Sequence, residues 1–187
     1  MVSIFSLWLP IVLSSIFVFI VSSIIHTVFK YHRSDMTKLP SENEVAEDIR
    51  KYNIPPGDYV IPYAGSPEAM KSDEYKEKIN KGPVAFMTVL PNGQQNMGSS
   101  LLQWFLYSVL IGIFTAYVTS RAVGPDTYYL EVFRFAGTVS FGGYALALLQ
   151  DSIWYKKKWS STLKSVLDGF IYALFTAGTF GWLWPGI

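Results

Sequence analysis

Four apolar stretches, each with at most one charged side chain, punctuate this chain, and one long polar stretch separates the first from the other three. Residues 3–29 and 100–120 carry no charge; residues 132–150 carry only Arg134, and residues 166–184 only Asp168. At 1.5 Å of rise per residue, 19 or more helical residues cover a hydrocarbon core of ~30 Å. The pattern predicts an all-α membrane protein. Four transmembrane helices form a compact bundle, with a small cytoplasmic α/β insert between helices 1 and 2. In residue terms, 1–30 hold the first helix and 31–98 the polar insert. Residues 99–187 form a three-helix region, with helices at about 100–120, 132–150 and 166–184.

Charge then sets the orientation. A cleaved leader carries its positive charges before a short apolar core; here Lys30, Arg33 and Lys38 follow a long one, so the first helix reads as an anchor with its N-terminus outside. Loop 151–165 holds Lys156, Lys157, Lys158 and Lys164, whereas loop 121–131 holds only Arg121. Short basic loops stay in the cytoplasm. Both termini are therefore expected outside, and insert 34–98 and loop 151–165 inside, in a multi-pass protein of the inner (plasma) membrane. Trp154, Tyr155 and Trp159 form an interfacial belt beside the lysines, and Trp8, Trp182 and Trp184 form one for the opposite face.

Within the insert, Ser41 to Glu44 has the spacing of a capping box ahead of a helix at about 42–52. Pro55, Pro56 and Gly57 stop that helix, and Tyr59–Ile61 is extended up to Pro62. Ser66-Pro67 opens a second helix running to about Asn80, and Val84–Leu90 is a strand closed by Pro91-Asn92-Gly93. About 65 residues with few large apolar side chains make a thin core. The insert is expected to lie on the membrane face or on a partner.

Small residues recur along the later spans at helical spacing: Ser108, Gly112, Thr115 and Thr119; Ala136, Ser140, Gly143 and Ala147; Gly169, Ala173 and Thr176, with Phe180 breaking the last series. In the first span Ser15, Ser22 and His26 share a meridian. Lipid gives helices no hydrophobic reason to associate, so they pack through faces that admit close backbone approach. These stripes are the expected packing faces. The midsections carry no ionisable group and no paired Gly/Pro breaks, which argues against a pore or transport pathway of the chain's own.

Composition narrows the chemistry further. In 187 residues there is no Cys, so disulfides, thiolate metal sites and Cys nucleophiles are excluded. The net charge of +1, with 19 of the 29 charged side chains between Lys30 and Lys81, excludes a basic nucleic-acid binder. His26 and His32 are the only imidazoles. Six apart, they stand about 240° around a single helix and do not share one iron within this chain. His26 is the one candidate ligand for a cofactor shared with a partner; its other expected role is a hydrogen bond to Ser22 or to a neighbouring helix, with His32 among the headgroups. Arg134 snorkels and pairs with Glu131. Asp168, read as lying in the first turn of its helix, has its charge favoured by the helix dipole and by Lys164. Arg134, Trp154, Lys156, Lys157, Lys158 and Trp159 are the expected lipid or partner contacts. No catalytic or metal-binding residue is assigned, and no Ser-His-Asp order, HExxH or P-loop occurs.

Pro56-Gly57-x-Tyr59 with Pro62, Gly82-Pro83-Val84, Pro91-Asn92-Gly93 and the stretch from Asp168-Gly169 to Trp184-Pro185 together resemble a family of small, uncharacterised four-span bacterial membrane proteins. The resemblance implies the architecture and a bacterial membrane, and no activity. The expected function is a non-catalytic accessory subunit packed against larger membrane subunits of an energy-converting or transport complex. It has bound lipids and no cofactor of its own. The alternatives are a small oligomeric transporter or channel using Asp151, Asp168 and Arg134, and a lipid-modifying enzyme using interfacial carboxylates.

Overall fold

The computed structural model describes residues 2–186. In chain order, a 3-10 turn at Ile4–Leu7 leads into α1 (Trp8–Thr27), and a second 3-10 turn follows at Tyr31–Ser34. Next come α2 (Glu42–Arg50), β1 (Gly57–Ile61), α3 (Pro67–Met70), α4 (Asp73–Lys81) and β2 (Ala85–Val89). The chain ends with α5 (Met97–Ala122), α6 (Tyr129–Tyr144), a 3-10 turn at Leu146–Leu148, α7 (Leu149–Trp154) and α8 (Trp159–Trp182). These elements divide into two compact units, Met1–Thr37 with Asn96–Ile187, and Lys38–Gln95.

Among the described residues, three helical segments are long and apolar enough to cross a membrane: Ile4–Thr27, Met97–Ala122 and Tyr129–Trp154. The fourth expected span, α8, has the length but less apolar character, because Lys164, Asp168 and several Gly, Ser and Thr residues dilute its Leu, Ile and Phe. It also begins at Trp159, seven residues before the expected start. The third expected span is interrupted. Ala145 leaves the helical region (φ −126°, ψ −44°), and the hydroxyl of Tyr107 donates to Gly143 O at 2.6 Å beside the break. As a result Ala147, expected on the packing face, is exposed, and Ala145 is buried instead.

In the larger unit, α1 packs on α5 and α8, and α6 packs on the same two helices. The seams run along the small residues. A Cβ at Gly112 would stand 3.2 Å from Ile11 Cγ2 and 3.4 Å from Ile11 O, so α1 and α5 meet almost backbone to backbone. Gly143 faces the Ile111 side chain. At Gly169 a Cβ would lie 2.9 Å from Ala145 Cβ and 3.2 Å from the Tyr144 carbonyl; at Gly181 it would lie 2.8 Å from the Tyr129 ring. Ser108, Ala136, Ser140 and Ala173 are all buried along these lines.

Buried hydroxyls are mostly absorbed by their own helix: Ser14 and Ser15 donate to Ile11 O, Ser140 to Ala136 O and Thr176 to Tyr172 O. Phe180, the residue that breaks the small series, is a fully buried knob packed with Leu7, Ile11, Ala116, Val132 and Trp184. Trp184 is therefore core and not interfacial belt, whereas Trp8 and Trp182 are exposed. The Trp184 indole N–H donates to Gly124 O at 2.9 Å. Trp184→Phe strands that carbonyl, and about 1–2 kcal/mol of stability is expected to go with it. Thermal unfolding in detergent reads the loss; a shift no larger than that of exposed Trp182→Phe would show that the bond contributes nothing.

The smaller unit is built on β1 and β2, paired antiparallel from Gly57↔Val89 to Ile61↔Ala85, with Thr88 donating to its cross-strand partner Asp58 at 2.6 Å. Both strands lie where the sequence puts extended chain. The capping box does not form: Ser41 adopts a left-handed conformation (φ 49°) and its side chain caps nothing. Ser66 does cap, accepting from Ala69 N, but the helix it starts ends at Met70, and Ser72 caps a new one by accepting from Tyr75 N. No described residue of this unit is fully buried, as so few large apolar side chains would lead one to expect.

Candidate functional site

The densest polar cluster in the larger unit forms where α1 gives out. The Ile24 carbonyl takes the N–H groups of both Val28 and Phe29, closing the helix, and the chain then turns through Tyr31–Ser34. That turn swings Tyr31, His32 and Asp35 against Lys164 and Asp168 of α8. On α8, residues 164, 168, 172 and 176 share one face at four-residue spacing. The face therefore presents Lys164, Asp168, Tyr172 and Thr176 in succession.

Asp168 is 3% exposed and accepts from two sides: the Tyr31 hydroxyl donates to Oδ1, and His32 Nε2 lies 2.7 Å from Oδ2. The other nitrogen of that ring, Nδ1, lies 2.6 Å from Asp35 Oδ2. With a carboxylate oxygen at each nitrogen, both can donate at once only as imidazolium. Lys164 completes the cluster, donating to Asp35 Oδ1 at 2.8 Å, Ser34 Oγ at 2.8 Å and Tyr31 O at 2.6 Å. Lys164 thus faces Asp35, and the His32 ring stands between the two carboxyl groups. The Lys164 hydrogen bond, aided by that from His32, holds the Asp35 carboxyl down to about 2. Burial, then the hydrogen bond to Asp168 and the charges of Asp168 and Asp35, push the Tyr31 hydroxyl far above its ordinary range, so it stays a neutral donor.

Several expectations are corrected here. Asp168 lies in the third turn of α8, not the first, because the helix begins at Trp159; and Lys164 reaches Asp35 instead of Asp168. The two imidazoles are not on opposite sides of one rod. The helix ends at Thr27, the turn brings His32 back, and the rings of His26 and His32 lie 4.9 Å apart, centroid to centroid. Ser22 is not the partner of His26: it accepts the Trp104 indole N–H at 2.9 Å and donates to Phe19 O. His32 is half-buried in the cluster.

One consequence is that a nitrogen of His26, a nitrogen of His32 and an oxygen of Asp168 all lie within 4.8 Å of one another. One turn beyond Asp168 on the same face of α8, the Tyr172 ring stands 5.6 Å from Tyr144 and 5.7 Å from Trp104, centroid to centroid.

The remaining site residues of the sequence reading stand elsewhere, each with its own neighbours. Arg134 is exposed on an apolar groove of about 380 Å³ with Phe133, Phe141, Phe170 and Leu174, and among the described residues no ion pair joins it to Glu131. Asp151 is half exposed and faces Lys157 Nζ at 3.5 Å. Lys156 donates to Ile153 O, and Trp154, Lys158 and Trp159 are exposed beside it. Sequence reasoning missed Tyr31 and Asp35 altogether. The usable signals were His32-x-x-Asp35, which suits a single turn, and the polar stripe of α8. No protein-family model, curated protein or solved structure matches the chain.

Proposed function

We propose that the chain is a non-catalytic integral subunit of a larger membrane complex, of the energy-converting or transport kind, with all four long helices crossing the membrane as a compact bundle. The observation that carries this reading is the contrast between closely approaching small-residue seams inside and an apolar exterior. The small-residue seams close the spaces between helices, and the buried hydroxyls bond largely to their own helices. Outward, the helices present exposed Phe, Leu and Ile and two shallow grooves. One groove, of about 340 Å³, is lined by Phe17, Leu174, Phe175, Gly178, Thr179 and Trp182; the other is the Arg134 groove. Such surfaces suit acyl chains and partner helices. In this reading the termini are outside and residues 34–98 and the Lys156–Lys158 connection are cytoplasmic, in a bacterial inner membrane, as in the four-span proteins the sequence resembles.

Purification from native membranes in a mild detergent tests it: larger membrane subunits should accompany the chain in fixed ratio through successive columns. A stable, pure homo-oligomer that conducts ions or solutes after reconstitution would replace the proposal with a transporter. Because the chain has no Cys, single introduced cysteines report its sidedness cleanly. Ser66→Cys should react with an impermeant maleimide only after the membrane is opened, and Asp126→Cys without opening.

A further inference from the structure

We propose that His26, His32 and Asp168 form a binding site for one divalent first-row transition-metal ion of the zinc type, independent of the subunit reading. The three donors come from two separated parts of the chain, the last turn of α1 with its following 3-10 turn and the third turn of α8, and converge to within 4.8 Å. Two imidazoles and a carboxylate match the ligands of zinc and iron(II) sites and are unsuited to Mg²⁺ or Ca²⁺, which take oxygen donors.

Proximity alone would be a modest argument. The stronger one is what holds the far side of each ligand. A metal-binding imidazole characteristically donates its second N–H to a carboxylate, which fixes the ring and raises its basicity. His32 does this toward Asp35 at 2.6 Å, and Asp35 is in turn fixed by Lys164 at 2.8 Å. Asp168 is held likewise: the Tyr31 hydroxyl occupies Oδ1 and leaves Oδ2 facing His32 Nε2. Both ligands are thus aimed, from opposite sides, at a point now bridged by a single proton.

Tetrahedral ligands at ~2.0–2.1 Å from a metal stand ~3.4 Å apart. The 2.7 Å pair of His32 and Asp168 therefore has to open by less than an ångström. His26, exposed and making no side-chain hydrogen bond among the described residues, is free to rotate toward the site. Binding displaces the Nε2 proton of His32 to solvent, and His26 coordinates as neutral imidazole. The exposed side leaves a fourth position for water.

The test uses the full-length chain in detergent, stripped with a chelator and titrated with Zn²⁺ against a chromophoric zinc indicator in the presence of excess Mg²⁺. One Zn²⁺ per chain is expected, with a rise in melting temperature that Mg²⁺ alone does not give. His26→Ala leaves the His32–Asp168–Tyr31 contacts in place. It should melt like the parent without metal, bind Zn²⁺ at least about tenfold more weakly, and lose the Zn²⁺-induced rise. Co²⁺ gives a second readout: the parent should develop the intense visible absorption of a low-coordinate cobalt site. Absence of saturable Zn²⁺ binding, binding undiminished in His26→Ala, or a Co²⁺ spectrum no different from that of the aqueous ion would each overturn the proposal.

Discussion

Asp168→Ala is expected to be the most damaging single change in the polar cluster, destabilising the fold by about 3–5 kcal/mol. The carboxylate is almost wholly buried and faces Tyr31 and His32, neither of which has, among the described residues, another acceptor placed for that hydrogen. Among the described residues, removing it leaves His32 Nε2 and the Tyr31 hydroxyl without a side-chain partner. Such stranding costs more than the pair contributes when intact. Asn would be a poor substitute, since its amide N–H groups would face a donor. Asp151→Ala is the natural control: that carboxylate is half exposed and its partner Lys157 is 3.5 Å away, so less than about 0.5 kcal/mol is expected. Thermal unfolding in detergent compares the two. Equal losses would mean that the cluster does not fasten the end of α1 to α8.

Gly169→Val should come close behind, at about 3 kcal/mol, by a different mechanism. Its first added carbon would meet Ala145 Cβ at 2.9 Å and the Tyr144 carbonyl at 3.2 Å, and two of those three atoms belong to backbone that has no rotamer to yield with. Overpacking of that kind forces the helices apart, and here it would do so beside the break that ends α6. Gly142 provides the contrast. It sits in α6 with nothing within 4 Å of its notional Cβ. Gly142→Ala relieves the entropic cost of a helical glycine and should gain up to about 1 kcal/mol. If Gly169→Val melts no lower than the parent, the Gly169 seam is not a close contact.

How much could be read beforehand depended on the range of the interactions concerned. Apolar length and helical spacing are local properties, and they placed the helices, the two strands and the packing stripes through Gly112, Ser140 and Gly169. The cap at Ser66 was also legible, because its acceptor and donor lie three residues apart. What escaped depended on distant partners. Nothing local announces that α8 begins at Trp159: Lys158 precedes it with no side-chain cap, so the apolar count alone set the start too late and Asp168 was misplaced by two turns. The 240° between His26 and His32 holds only on a continuous helix, and this one ends at Thr27. The turn that brings them together is secured by Lys164, more than 120 residues further along. The single helix expected after Ser66 fails for a local reason that spacing does not display, since Ser72 finds it better to cap a second helix than to sit inside the first.

The burial of Asp168 has a consequence for the surrounding lipid. Because its carboxylate turns inward, the exposed side of α8 stays apolar from Leu163 through Leu167, Phe170 and Leu174 to Trp182, about 20 residues or ~30 Å, against a hydrocarbon layer of ~30 Å. Once α8 crosses the bilayer as proposed, that match leaves no shortfall for the lipid to meet by thinning. Phosphatidylcholines of ordinary chain length should therefore hold the protein more stably than short-chain ones, and melting in bilayers of graded thickness reads the preference.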